Sequence, residues 1–150
     1  MRVESKIFGE VTVEDEKVIC FEQGIIGLPD FIKYILLYDE EKEEANVSWL
    51  QSVDEPALAI PVLNPYLILE DYNPVVEDEW LHSLGEFSED SLAVLVSVTV
   101  PEQIEKMTVN LRAPFIINTK NNKACQLITE GDAGLIKYPV YDILKKKGGE

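Results

Sequence analysis

The feature that most restricts how this chain can fold is the shortness of its apolar runs. The most continuous of them, "SLAVLVSVTV", covers residues 91–100 and stops at Pro101. It reads as a strand buried on both faces. It falls far short of the ~18 residues that suggest a membrane-spanning helix. The other runs are also of strand length, separated by glycine, by proline or by polar loops such as the charged "EEKEEAN".

"KIFGEVTV" alternates Ile7, Val11 and Val13 around Gly9 and predicts a strand, a turn and a second strand. "KVICFEQ" is rich in strand formers. "GIIGLPDF" follows, where Gly24, Gly27 and Pro29 force a turn and Asp30 is placed to cap one helical turn through Tyr34. "YILLYD" resumes strand character. "VSWLQSVD" and "PALAIPVLNP" carry Pro56, Pro61 and Pro65, which cannot donate ladder hydrogen bonds, so these strands are expected at edges, bends or starts. "YLILEDY" predicts another strand. "VVEDEWLHSLGEF" is the strongest helix pattern, with Val76, Trp80 and Leu84 four apart and Gly85 as a stop. Residues 107–128 read as two hairpin strands around "TKNNKA", where Asn121 and Asn122 suit left-handed backbone angles. "YPVYDIL" is a last strand or short helix.

Eight to ten short strands with one or two short helices predict an all-β fold, a compact β-barrel-like or sandwich single domain. Its expected span is 1–144, with 145–150 a flexible basic tail. A chain of 150 residues can bury roughly 68–70% of its unfolded surface and needs no covalent staple. Cys20 and Cys125 lie far apart with no CxxC or Cys/His cluster, which argues against zinc or a disulfide framework. The start "MRVESKIFGE" lacks the apolar core of a signal peptide, so a soluble cytoplasmic protein is expected.

Net charge is −15, and its distribution is uneven. From Glu43 to Glu105 there are 14 acids and no Lys or Arg; from Lys106 onward eight Lys/Arg face four Asp/Glu. Either this is only a soluble surface, or it is a field for a positively charged partner. Direct nucleic-acid binding is disfavoured, because displacing phosphate counterions requires Lys and Arg.

Catalytic patterns are weak. Gly24 and Gly27 are separated by isoleucines with no Lys or Ser/Thr behind them, so no phosphate cradle is expected. His82, the single histidine, has no nucleophile elbow to serve. Asp54–Glu55, Glu70–Asp71 and Glu77–Asp78–Glu79 are consecutive acids, which strand geometry splits to opposite faces rather than converging in a cleft. No enzyme activity, cofactor or metal is expected. Asn110 and Arg112 share one face if their segment is a strand, and with Asn118 they form either a polar recognition strip or an ordinary solvent face.

Three stretches together, "FEQGIIGLPDFIKYILL", "LQSVDEPALAIPVLNP" and "KMTVNLRAPFIINTKNNKACQLI", resemble the bacterial flagellar assembly factor family FliW. The resemblance runs from about Arg2 to Tyr141. Ile60 stands where an aromatic is expected, and "GDAGLIKYPVY" fits loosely. The resemblance implies a compact β-barrel-like, cytoplasmic, non-enzymatic protein with two alternating partners. One is flagellin. The other is the carbon storage regulator CsrA, an RNA-binding repressor of flagellin translation, which the family relieves allosterically and non-competitively. A basic RNA-binding partner suits the acidic stretch, so Glu70, Asp71, Glu77, Asp78 and Glu79 are the expected partner contacts, joined by Asn110, Arg112 and Asn118. Cys125 is expected to pack rather than react.

Overall fold

The computed structural model describes residues 1–38, 47–74, 76, 78–131 and 133–147. Among these are eleven strands: β1 (Arg2–Ser5), β2 (Gly9–Thr12), β3 (Ile19–Phe21), β4 (Lys33–Tyr38), β5 (Ser48–Ser52), β6 (Ala59–Leu63), β7 (Leu92–Thr99), β8 (Thr108–Val109), β9 (Phe115–Asn118), β10 (Lys123–Gln126) and β11 (Tyr138–Pro139). One α-helix, α1 (Tyr141–Lys147), follows, so the backbone of residues 145–147, expected in a flexible tail, is helical.

Seven strands close a barrel in the order β7-β6-β5-β4-β3-β10-β9, with β9 returning to β7. All neighbours are antiparallel except β3 and β10. The all-β barrel-like expectation therefore holds. Closure removes the exposed edges that an open sheet of this size would leave.

Strand alternation sorts the core. From β4, Tyr34 faces the barrel interior with Phe21, Leu50 and Phe115, while Ile35 and Leu37 face outward under Val3 of the β1–β2 hairpin. Phe21 stacks edge-to-face on both Tyr34 and Phe115, with ring centroids 5.5 and 5.8 Å apart. Truncating Phe21 to Ala would cost about 3–5 kcal/mol. Two further apolar clusters lie outside the barrel. One gathers Leu63, Val96, Val109, Leu111 and Val140; the other gathers Leu81, Leu84 and Ile116.

Several expectations are corrected. In "SLAVLVSVTV" the first half of β7, Leu92–Leu95, is only half-buried; the strand buried at every position is β9, "FIIN". Pro56 lies in a turn and Pro65 opens a 3₁₀ helix, as expected of bends and starts, but Pro61 is at no edge, since β6 sits inside the barrel wall. Pro61 is tolerated because of its register. The Ser52 amide donates to the Leu58 carbonyl, so by alternation the opposing pair Trp49 and Pro61 exchanges no ladder bonds. On the other flank, pairing with β7 begins one residue later, at Val62.

No helical turn forms from Asp30 to Tyr34. Instead Phe21 donates to the Ile32 carbonyl at 2.8 Å and Lys33 pairs with Cys20, which draws the segment into the sheet. "YLILEDY" is not a strand but a short 3₁₀ helix, Pro65–Leu67, followed by a turn. Asn64 starts it by accepting from the Tyr66 amide at 3.0 Å. The helix expected near Trp80 is a 3₁₀ helix, Asp78–Leu84, so its buried pair is Leu81 and Leu84, three apart rather than four. Gly85 ends it at φ 73°, as its position predicts.

Candidate functional site

The acidic stretch is held on the barrel by specific anchors. After the Pro65–Leu67 turn, Ile68 and Tyr72 are buried, while Glu70 and Asp71 between them are exposed. The Tyr72 ring packs against Tyr66, and its hydroxyl donates to the Leu111 carbonyl at 2.6 Å. Burial, with Tyr66 alongside, pushes the Tyr72 hydroxyl up to about 12. It therefore stays a donor at physiological pH. This bond sets the turn bearing Glu70 and Asp71 against the Asn110–Arg112 segment.

That segment is not a strand, so Asn110 and Arg112 form no strip on a common strand face. Asn110 Oδ1 accepts from the Arg112 amide at 3.0 Å, a local turn that competes with the ladder. Arg112 Nε donates to the Thr129 carbonyl at 3.1 Å, and Thr129 Oγ1 donates back to the Arg112 carbonyl. Half-buried Arg112 thus anchors loop 127–131 from within.

The second acidic segment is the Asp78–Leu84 helix, from which Glu79 is exposed. Glu77 lies outside the described residues, and only the backbone of Asp78 is described. Leu81 and Leu84 fix the helix to Ile116 of β9. Asn118 is fully buried: its amide donates to the carbonyls of Leu84 and Glu86 at 2.8 and 2.9 Å, and its Oδ1 accepts from Lys120. Its polar atoms are consumed inside the protein, so it positions the acidic segment rather than reaching out from it. Asn121 donates to the same Leu84 carbonyl at 2.9 Å.

The two acidic segments meet the barrel side by side. Val94 of β7 packs against both outer clusters, that of Ile68 and Tyr72 and that of Leu81 and Leu84. The segments that carry Glu70, Asp71 and Glu79 are thus anchored in two apolar clusters that adjoin at Val94.

Cys125 packs against the Leu81, Leu84 and Ile116 cluster, and burial pushes its thiol up to about 11. A thiol so protonated is a poor nucleophile. His82 is exposed, and among the described residues no group of three or more His, Cys, Asp or Glu could hold a metal ion.

Two features escaped the sequence reading. Gln126 accepts from the Ile26 amide at 2.9 Å and donates to the Ala113 carbonyl at 3.2 Å, tying "GIIGLPDF", "NLRAP" and "NKACQL" into one unit. No local pattern signals a contact 100 positions apart. The other is a groove of about 460 Å³ between the β1–β2 hairpin and Glu55–Ala57, ringed by Glu4, Glu10, Glu55 and Lys6. Pairing Glu4 with Glu10 required the hairpin register.

Residues 2–140 match the family described as FliW protein. The chain is 46% identical over 155 residues to the flagellar assembly factor FliW of Lachnoclostridium phytofermentans, covering 100% of this chain and 99% of that protein. It is 48% identical over 149 residues to the flagellar assembly factor FliW of Lachnospira eligens, covering 98% and 99%. A crystal structure of the flagellar assembly factor FliW is similar in fold, with a TM-score of 0.84 at 27% identity, covering 94% of this chain and 97% of that one.

Proposed function

The chain belongs to the FliW family, and from that premise we propose that it is a non-enzymatic cytoplasmic flagellar assembly factor with two alternating partners, flagellin and CsrA. Bound to CsrA, it relieves repression of flagellin mRNA translation from a site away from the RNA groove. Flagellin, when abundant, captures it and frees the repressor.

The observation that supports this reading is the pair of acidic segments whose apolar anchors adjoin at Val94, which expose Glu70, Asp71 and Glu79 in a stretch with no Lys or Arg. A protein that grips RNA phosphates is basic there. An acidic face docked beside that groove draws the protein in and repels RNA, because like charges brought together cost energy and slow association. The two segments are anchored by Tyr72 and Asn118, so their charges are held in place before any partner arrives.

A calorimetric titration with purified CsrA, repeated with flagellin already bound, tests the reading. Tight binding to CsrA that disappears in the presence of flagellin is expected. Binding to flagellin without binding to CsrA would reduce the protein to a flagellin chaperone.

A further inference from the structure

The β1–β2 hairpin forms its own two-stranded sheet, with no strand pairing to the barrel among the described residues. It is held by the Val3 and Val11 face, which packs on Ile35 and Leu37, and by the Lys6 amide, which donates to the Pro56 carbonyl at 2.8 Å. The second contact lies on the β1 side. Among the described residues, none bonds to the outer side of β2.

The register shows what that side offers. Met1 and Val13 exchange both hydrogen bonds, the Met1 ammonium to the Val13 carbonyl at 2.7 Å and the Val13 amide to the Met1 carbonyl at 3.0 Å. Alternation then makes Val3–Val11 and Ser5–Gly9 the bonded pairs, and Arg2–Thr12 and Glu4–Glu10 the unbonded ones. The N–H and C=O groups of Glu10 and Thr12 therefore point away from β1, into solvent. The strand "GEVT" has neither proline nor lysine, the residues that most often blunt a free edge.

Its charge selects the occupant. Glu4 and Glu10 face each other in an unbonded pair, where side chains lie closest, and like charges so placed are destabilising. Arg2 Nε lies 3.6 Å from Glu10 Oε1, with both side chains exposed. Glu4 has no ion-pair partner among the described residues. Glu55 faces them across the groove, where three carboxylates meet one ammonium, that of Lys6. A second copy of this chain would set Glu10 near Glu10, which disfavours self-pairing.

We propose that the outer edge of β2 accepts an extended, lysine- or arginine-bearing strand of a partner protein, with a cationic side chain set beside Glu10 where Glu10 faces Glu4. The added strand takes the free backbone groups of Glu10 and Thr12, and the cation relieves the Glu4–Glu10 repulsion. This surface is distinct from the acidic segments anchored at Val94 and does not rest on the function proposed there.

The test is an amide NMR titration of the full chain with acetyl-Val-Lys-Val-Lys-Val-amide and with its glutamate counterpart. The lysine peptide is expected to shift the Glu10 and Thr12 amides saturably, and the glutamate peptide to leave them unmoved. Glu10→Lys should weaken binding about tenfold or more at low salt. Thr12→Pro, which removes an outward amide, should abolish it; Glu10→Lys keeps the test open if that variant does not fold. Unmoved β2 amides, equal response to both peptides, or a dimer that Thr12→Pro dissolves would each overturn the proposal.

Discussion

The Asn118 side-chain amide donates to the Leu84 carbonyl at 2.8 Å, joining residues 34 positions apart. This bond ties the end of the acidic 3₁₀ helix to the last residue of β9. A second bond from the same amide, to Glu86, holds the chain just beyond Gly85.

Asn118→Ala is therefore expected to cost about 2–4 kcal/mol, because it leaves the Glu86 carbonyl and the Lys120 amide without their partner, and the Leu84 carbonyl with Asn121 alone, around a buried side chain. Asn121→Ala, which removes two bonds, to the Leu84 carbonyl and from the Lys123 amide, at an exposed side chain, should cost about 1 kcal/mol or less. Urea denaturation of the two variants checks the order. Equal losses would mean that Asn118 is no stronger an anchor than Asn121.

Gly24 and Gly27 both have positive φ, at 72° and 84°, yet they should respond differently to alanine. A Cβ at Gly24 would lie 2.5 Å from the Pro29 Cα, a backbone atom, whereas at Gly27 nothing lies within 4 Å. Gly27→Ala should cost only the backbone term of about 1–2 kcal/mol. Gly24→Ala should cost clearly more, and thermal denaturation that ranks them the other way would refute the packing argument.

Burial raises the Cys125 thiol from an ordinary 9.0 to about 11. The folded protein resists losing this proton more than the unfolded chain does. The corresponding stability is present in full below pH 9 and is lost as pH rises towards 11. Cys125→Ala should flatten the fall in stability across that window. At pH 8 the folded protein should hold about a hundredfold less Cys125 thiolate than the unfolded chain, with correspondingly slower alkylation by iodoacetamide. Mass spectrometry reads the rate, and labelling as fast as in urea would show that the thiol is not packed.

Reversing Glu70, Asp71 and Glu79 together to Lys should abolish release of RNA from CsrA while leaving thermal stability within about 1 kcal/mol, since all three are exposed. Gel-shift competition with flagellin mRNA measures the release. Unchanged release would remove the acidic segments from the mechanism.

The sequence by itself determined the class of fold and much of its punctuation. Alternating runs of strand length gave the all-β expectation, Gly85 marked the end of the helical segment, and Asn122 does adopt a left-handed φ of 56° in the "TKNNKA" turn. These are local properties, settled by the conformations that a few adjacent residues can reach. Tertiary structure decided the rest. Pro61 lies inside the barrel wall because its register spares it a ladder bond, and "YLILEDY" gives up its strand pattern to bury Ile68 and Tyr72 and to bond Tyr72 to Leu111. Arg112 turns inward to Thr129, and Asn118 spends its amide on Leu84 and Glu86. Each of these depends on a group distant in sequence arriving at hydrogen-bonding distance. No window of neighbouring residues encodes that encounter; barrel closure brings it about.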